Sequence, residues 1–176
     1  MKKTRVVIFD EDPMYRALKK NPKLEISINQ SGEEALAALE RKPAEIVIVD
    51  LMTPFEKGGI LLTGDGVDEL FQKREKDPSF QFDHFDMVFP KESPAERFLR
   101  TAKERGLLNS SKIILMSGIG DFENSKSRVS RFREPYGVKH VMSKCGCRHD
   151  RDESLKKIVD KCLKQTRRTR SKVKSK

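Results

Sequence analysis

Cysteine is scarce in this chain. There are three, Cys145, Cys147 and Cys162, an odd number with no framework spacing. That argues against a disulfide-stapled secreted scaffold and fits a reducing compartment. Long apolar runs are missing too. No stretch approaches the ~20 apolar residues of a membrane span. The basic start MKKTRVVIFD offers only residues 6–9 as an apolar run, too short for a signal-peptide core. These absences read as a soluble, cytoplasmic protein without a membrane span. No internal repeat is visible. Acidic residues are absent from Lys164 to Lys176, where seven Lys/Arg occur, so most of the formal net charge of +10 sits in the last thirteen residues. The expectation is a basic, disordered tail over 166–176 that makes weak, salt-dependent contact with nucleic acid or acidic partners.

What is present suits one domain. The 176 residues are 36% hydrophobic and 36% charged, enough to bury a real core under a heavily charged surface. Residues 5–9 (RVVIF) form a short β-branched apolar run ending in acids, a buried strand. Asp12 and Pro13 then fit the cap and first turn of a helix that ends near Asn21 and Pro22. Residues 24–28 alternate as a second strand. Ser31 with Glu34 reads as a capping box for a helix closed by Pro43. Residues 45–49 (EIVIV) form a third strand ending at Asp50, and 112–116 (KIILM) a fourth ending at Ser117.

Asp50 and Ser117 are 67 residues apart, whereas a βαβ unit needs only about 30. The interval therefore holds extra material, an insertion at about 56–95. It contains a helix opened by Gly64-Asp65-Gly66, and Phe80, Phe82, Phe85 and Phe89 are expected to dock on the body. A helix from Ser93-Pro94 is stopped by Gly106. Residues 124–133 look weakly helical, 138–143 form the last strand ending at Lys144, and 153–165 the last helix. Strands alternating with helices predict an α/β fold, a doubly wound five-stranded parallel sheet with helices on both faces, over 1–165.

Polar residues stand at the carboxyl ends of four of these strands: Asp10 and Glu11, Asp50, Ser117, and Lys144. Taken singly, each has a plain structural role. Acids cap helices, aspartate forms turns, serine opens loops, and lysine is solvated. Together they are more telling, because open parallel sheets bind ligands at their carboxyl ends. Carboxylates there suit a hard cation such as Mg²⁺, and lysine and hydroxyl groups suit phosphoryl oxygens. The histidines His84, His140 and His149 read as ordinary surface residues. Cys145, Cys147 and His149 do not have usual zinc spacing.

The segments FDEDP (9–13), VDLMTP (49–54), LMSG (115–118) and VMSK (141–144) resemble, in order, the site motifs of the CheY-like receiver family. The resemblance covers about residues 4–165, excluding much of 56–95. It implies the strand order 2-1-3-4-5 and a stand-alone response regulator of a two-component phosphorelay. Asp50 would be the phosphoacceptor. Glu11, Asp50 and the Met52 carbonyl would hold Mg²⁺, with Asp10 assisting through water. Ser117 and Lys144 would bind the phosphoryl group. Pro54 and Gly58 match the loop that follows. The implied partners are a sensor histidine kinase or phosphotransfer protein upstream and a protein downstream. The protein would not be an enzyme beyond its own phosphorylation and dephosphorylation.

The chain departs from the family pattern in three ways. Val141 stands where an aromatic is usual, so a Tyr or Phe rotamer switch is not expected. Cys145 replaces the usual proline after the lysine, and the insertion adjoins the site. Met52 and Ile119 occupy the positions that tune hydrolysis and, being apolar, predict slow loss of phosphate.

Two other readings compete. Asp10-Glu11-Asp12 resembles the DxD nucleophile motif of haloacid-dehalogenase-type phosphohydrolases, with Asp10 as nucleophile. That family needs a further acidic pair after its lysine strand, and Asp150 and Asp152 lack that context. A degenerate receiver acting as a binding scaffold is favoured by Val141 and Cys145 and opposed by the intact acidic set.

Overall fold

The computed structural model describes residues 3–10, 15–56, 67–77, 79, 92–117, 126–144 and 153–164. In chain order these form β1 (Thr4–Phe9), α1 (Arg16–Lys19), β2 (Leu24–Asn29), α2 (Gly32–Arg41), β3 (Ile46–Asp50), α3 (Val67–Lys76), α4 (Pro94–Glu104), β4 (Lys112–Ser117), α5 (Lys126–Tyr136), β5 (His140–Ser143) and α6 (153–164). The strands make one sheet in the order β2-β1-β3-β4-β5. Every neighbouring pair is parallel. This is the predicted doubly wound architecture.

The two-residue period of a strand divides the core in two. Odd-numbered positions Val7, Phe9, Val47, Val49, Ile113 and Leu115 meet α2, α4 and α5 through Leu36, Leu39, Phe98, Leu99 and Phe132. Even-numbered positions Val6, Ile8, Ile46, Ile48, Ile114 and Met116 meet Tyr15, Leu18 and the apolar stripe of α6, Leu155, Val159, Cys162 and Leu163. A strand covered on both faces must be apolar throughout, hence IVIVD in β3, where every residue is buried.

Capping follows the sequence with one change. Ser31 Oγ accepts from Glu34 N at 3.2 Å, but the Glu34 carboxylate reaches back to Gln30 N at 3.0 Å. The reciprocal box forms instead at Ser93 and Glu96, at the start of α4. That helix ends at Gly106, whose φ of 69° needs a residue without a Cβ penalty. The fifth strand begins at His140 rather than 138, and α5 runs to Tyr136, past the expected end at 133.

Both α3 and α4 lie between β3 and β4. α4 buries Phe98 and Leu99 in the core, whereas residues 72–77 are exposed. Asp12 and Pro13, the four phenylalanines of 80–89 and the tail over 166–176 lie outside the described residues. Among the described residues, no helix is long and apolar enough to cross a membrane.

Candidate functional site

In an all-parallel sheet every carboxyl end points the same way. Asp10 after β1, Asp50 closing β3, Ser117 closing β4 and Lys144 after β5 therefore share one rim. Asp10, Asp50 and Ser117 are buried, at 0%, 3% and 0% exposure. Buried charge at this density is costly unless paired, and the pairing is explicit. The Lys144 ammonium lies 2.7 Å from Asp10 Oδ2 and 2.9 Å from Asp50 Oδ1.

Backbone hydrogen bonds fix the rim. Asp10 N donates to Asn29 O at 3.0 Å, and the buried Asn29 amide donates to Ile8 O at 3.0 Å, binding the tips of β1 and β2. Leu51 N donates to Met116 O at 2.9 Å, and Lys144 N to Ser117 O at 2.6 Å, which closes β3 to β4 and β4 to β5 just below the site. The loop after Asp50 is held by the start of α2. Gly32 N donates to Pro54 O and Glu33 N to Phe55 O. A Cβ at Gly32 would come within 2.5 Å of the Phe55 ring, so this close approach requires glycine.

The two oxygens of Asp50 have different surroundings. Oδ2 accepts from Met52 N at 3.2 Å and from Thr53 Oγ1 at 2.9 Å, which makes a turn closed by the side chain. Oδ1 is buried and accepts no hydrogen bond from the described residues, its ion contact with Lys144 lying off hydrogen-bond direction. The plain turn-forming role and a chemical role thus fall on separate atoms. Burial, and next the nearby Asp10 charge, push the Asp50 carboxyl above its ordinary value; Lys144 and the Thr53 hydroxyl offset this only in part. Burial works against the Lys144 ammonium, but Asp50 and Asp10 together hold its pKa above the usual lysine value.

Of the predicted residues, Asp10, Asp50 and Lys144 are brought into contact. Ser117 stands at the tip of β4, its backbone bonded to that of Lys144. Met52 contributes its N–H to Asp50. Glu11, Gly58, Ile119, Cys145, Cys147 and His149 lie outside the described residues, as does the acidic pair Asp150 and Asp152. Val141, at the position usually aromatic, packs on the core beside α5.

Two contributors were not anticipated. Thr53 sat within VDLMTP, three residues from Asp50, where a hydroxyl can close a turn. Tyr15 gave no signal by spacing; its buried hydroxyl donates to Asp10 Oδ2 and lies 3.6 Å from Met116 Sδ.

The residues fit a divalent cation. Among the described residues two buried carboxylates face one ammonium, and Asp50 Oδ1 accepts no hydrogen bond from a described donor. Oxygen donors of this kind are what Mg²⁺ takes. Among the described residues no group of three or more His, Cys, Asp or Glu side chains converges to hold a metal.

No family model matches the chain, and no curated protein matches it by sequence. Solved structures do match. The chemotaxis protein CheY4 of Vibrio cholerae superposes with a TM-score of 0.53 at 11% identity, covering 88% of this chain and 98% of that one. The chain thus has the CheY-like receiver fold. The isolated REC domain of RcsB from Salmonella enterica serovar Typhimurium, solved in the presence of phosphomimetic BeF3-, matches with a TM-score of 0.53 at 14% identity over 90% of each chain. The receiver domain of the Francisella response regulator 1452 also gives 0.53, at 12% identity over 93% of this chain and 99% of that one. At these identities the shared property is the receiver fold, with its strand order 2-1-3-4-5.

Proposed function

We propose that the protein is a phosphorelay receiver that takes a phosphoryl group on Asp50 and passes the signal by changing a protein-binding surface. One observation carries the reading: a buried aspartyl oxygen that accepts no hydrogen bond from the described residues, facing a lysine shared with a second buried carboxylate.

In the proposed reaction an oxygen of Asp50 attacks phosphorus on a phosphohistidine of a sensor kinase or phosphotransfer protein. An oxygen–phosphorus bond forms, the phosphorus–nitrogen bond breaks, and the imidazole leaves with the electron pair. Little covalent work falls to the protein, so positioning and charge neutralisation dominate. The bonds from Met52 N and Thr53 Oγ1 hold the carboxylate plane. Lys144 would follow charge from the carboxylate to the phosphoryl oxygens, and the Ser117 hydroxyl would donate to one of them. Asp50, Glu11 and the Met52 carbonyl, with Asp10 through water, would hold Mg²⁺. Bound there, the ion would favour the ionised form of Asp50 and neutralise phosphoryl charge. Redistribution of Ser117 and Lys144 would then shift the surface of α5, β5 and α6.

The test is incubation with acetyl phosphate and Mg²⁺, followed by intact mass and localisation of the modified residue. The expected result is one phosphoryl group on Asp50, abolished by Asp50→Asn and by chelation. Modification that survives Asp50→Asn but not Asp10→Asn would establish a haloacid-dehalogenase-type nucleophile instead. No modification of the folded protein would leave the binding-scaffold reading.

A further inference from the structure

The opposite end of the sheet is rich in lysine, with Glu25, Glu45 and Asp160 as acids placed there. Parallel strands that collect carboxylates at their carboxyl ends must collect whatever begins them at the other. Lys23 precedes β2, Lys112 opens β4 and Lys139 precedes β5. Helices that return antiparallel to the strands end there as well, bringing Lys19 and Lys20 from α1 and Lys161 and Lys164 from α6.

Neighbourhood is shown directly. A cleft between the α1–β2 loop and α6 is lined by Asn21, Lys23, Asp160, Leu163 and Lys164. Lys112 Nζ donates to Cys162 O in α6 at 2.7 Å. Burial first, then the charges of Lys161, Lys112 and Lys139, holds the His140 imidazole below its ordinary value, with no acid acting against them.

Lys19, Lys20, Lys23, Lys139, Lys161 and Lys164 are all exposed, and none makes an ion pair with a described residue. One lysine at this end does pair, Lys42 with Glu25 of β2, as does Lys156 with Glu153 at the start of α6. Complementing a helix dipole accounts for lysines in a last helical turn. It does not account for Lys23, Lys112 and Lys139, which begin strands.

We propose that this end of the sheet docks the phosphate backbone of nucleic acid. Five strands at ~4.8 Å spacing make it about 19 Å across. Duplex DNA laid on it offers one charge per ~1.7 Å of axis. Lysine ammonium groups are point charges that meet phosphate without a fixed fork geometry, so binding is independent of base sequence. An acidic protein partner is less well served, because protein interfaces concentrate energy in buried aromatic or arginine anchors and none of the exposed groups here is one. The site lies at the far end of the strands from Asp50 and stands whether or not Asp50 is phosphorylated.

The test compares two triple variants of the full chain that lower net charge equally. One is Lys139→Gln, Lys161→Gln, Lys164→Gln; the control is Arg97→Gln, Lys156→Gln, Lys157→Gln, all exposed positions near the starts of α4 and α6 rather than their ends. Anisotropy with a mixed-sequence duplex is read at low and moderate salt, and melting confirms folding. The wild type is expected to bind with a Kd of about 1–100 µM, as non-specific binders do. The first triple should weaken binding at least ~10-fold and flatten the log–log salt slope by about 2–3. The control should stay within ~3-fold, since only non-local charge is lost. Equal loss in both triples, or loss in neither, overturns the site. So does failure of the wild type to bind duplex, including the case where it binds polyglutamate instead.

Discussion

Replacing Lys144 by methionine keeps most of the side chain's length and removes its charge. Two carboxylates, 1% and 4% exposed, then face each other without a cation. Stripping one partner from a buried ion pair costs about 3–5 kcal/mol. Here the loss has an outlet, because the Asp50 pKa is already raised, first by burial and then by Asp10, and Lys144 is among the groups that hold it down. Removing Lys144 lifts it further. An acid whose folded pKa is raised confers its stability below its unfolded value and loses it as pH rises through the folded one. The variant should therefore resemble the wild type in acid and fall away as pH increases, by about 1.4 kcal/mol per pH unit across the titration window. Near neutrality and above, a deficit of about 3 kcal/mol lowers Tm by roughly 6–12 °C for a chain of this size. Urea unfolding of both proteins at about pH 5 and pH 8 measures it. Adding Asp50→Asn to the variant should restore most of the loss. A deficit under ~1 kcal/mol at both pH values, or one that does not change with pH, would refute the coupling of these three groups.

The other expectations draw on the same contacts. Asp50→Asn alone removes a desolvated charge while its amide oxygen can still accept from Met52 N and Thr53 Oγ1; in metal-free buffer it should stabilise the fold by about 1 kcal/mol, seen by thermal melting, as relief of strain at functional sites does. Mg²⁺ should raise the Tm of the wild type more than that of Asp50→Asn, since only binding to the folded state stabilises. Tyr15→Phe deletes the hydroxyl that donates to the buried Asp10; it should cost about 1–3 kcal/mol and weaken the apparent Mg²⁺ dependence of phosphorylation by acetyl phosphate. His140 should titrate below the ordinary imidazole range by NMR, move upward in Lys139→Gln, Lys161→Gln, and make the fold lose stability as pH falls through its depressed value.

The architecture was legible because its signals were redundant. Each strand carried a β-branched run, a helix behind it and a polar residue at its tip, and the strand order followed from the resemblance of those tips to one family. The contact of Asp10, Asp50 and Lys144 was legible for the same reason: in a parallel sheet, position at a strand tip is nearly position in space. What escaped was local geometry. Tyr15 reaches Asp10 from the segment leading into α1, through a backbone path that no spacing rule encodes. The Glu34 carboxylate skipped its cap for Gln30, a choice set by side-chain rotamers. Thr53 was read as part of a motif and not as a hydroxyl in reach of Asp50. The basic end was legible only as scattered lysines, because its coherence depends on where strands begin and helices stop, and those boundaries are the least defined feature of any pattern.

The division of charge between the two ends follows from topology. Strand tips of opposite character lie at least the length of β3, five residues and so about 16 Å, apart. That exceeds the ~8 Å over which charges act at physiological salt, so the acidic cluster does not neutralise the lysines and each end keeps its own field. Placing them on one face would have cancelled both, removing the excess negative charge that suits a divalent cation and the positive charge that suits phosphate. β5 nevertheless joins them physically, with Lys139 and His140 at one end and Lys144 four residues beyond His140. Direct electrostatic attraction does not link Asp50 to the lysine end; a shift of β4 and β5 against α6, the element Lys112 holds by its bond to Cys162 O, is a mechanical route that does.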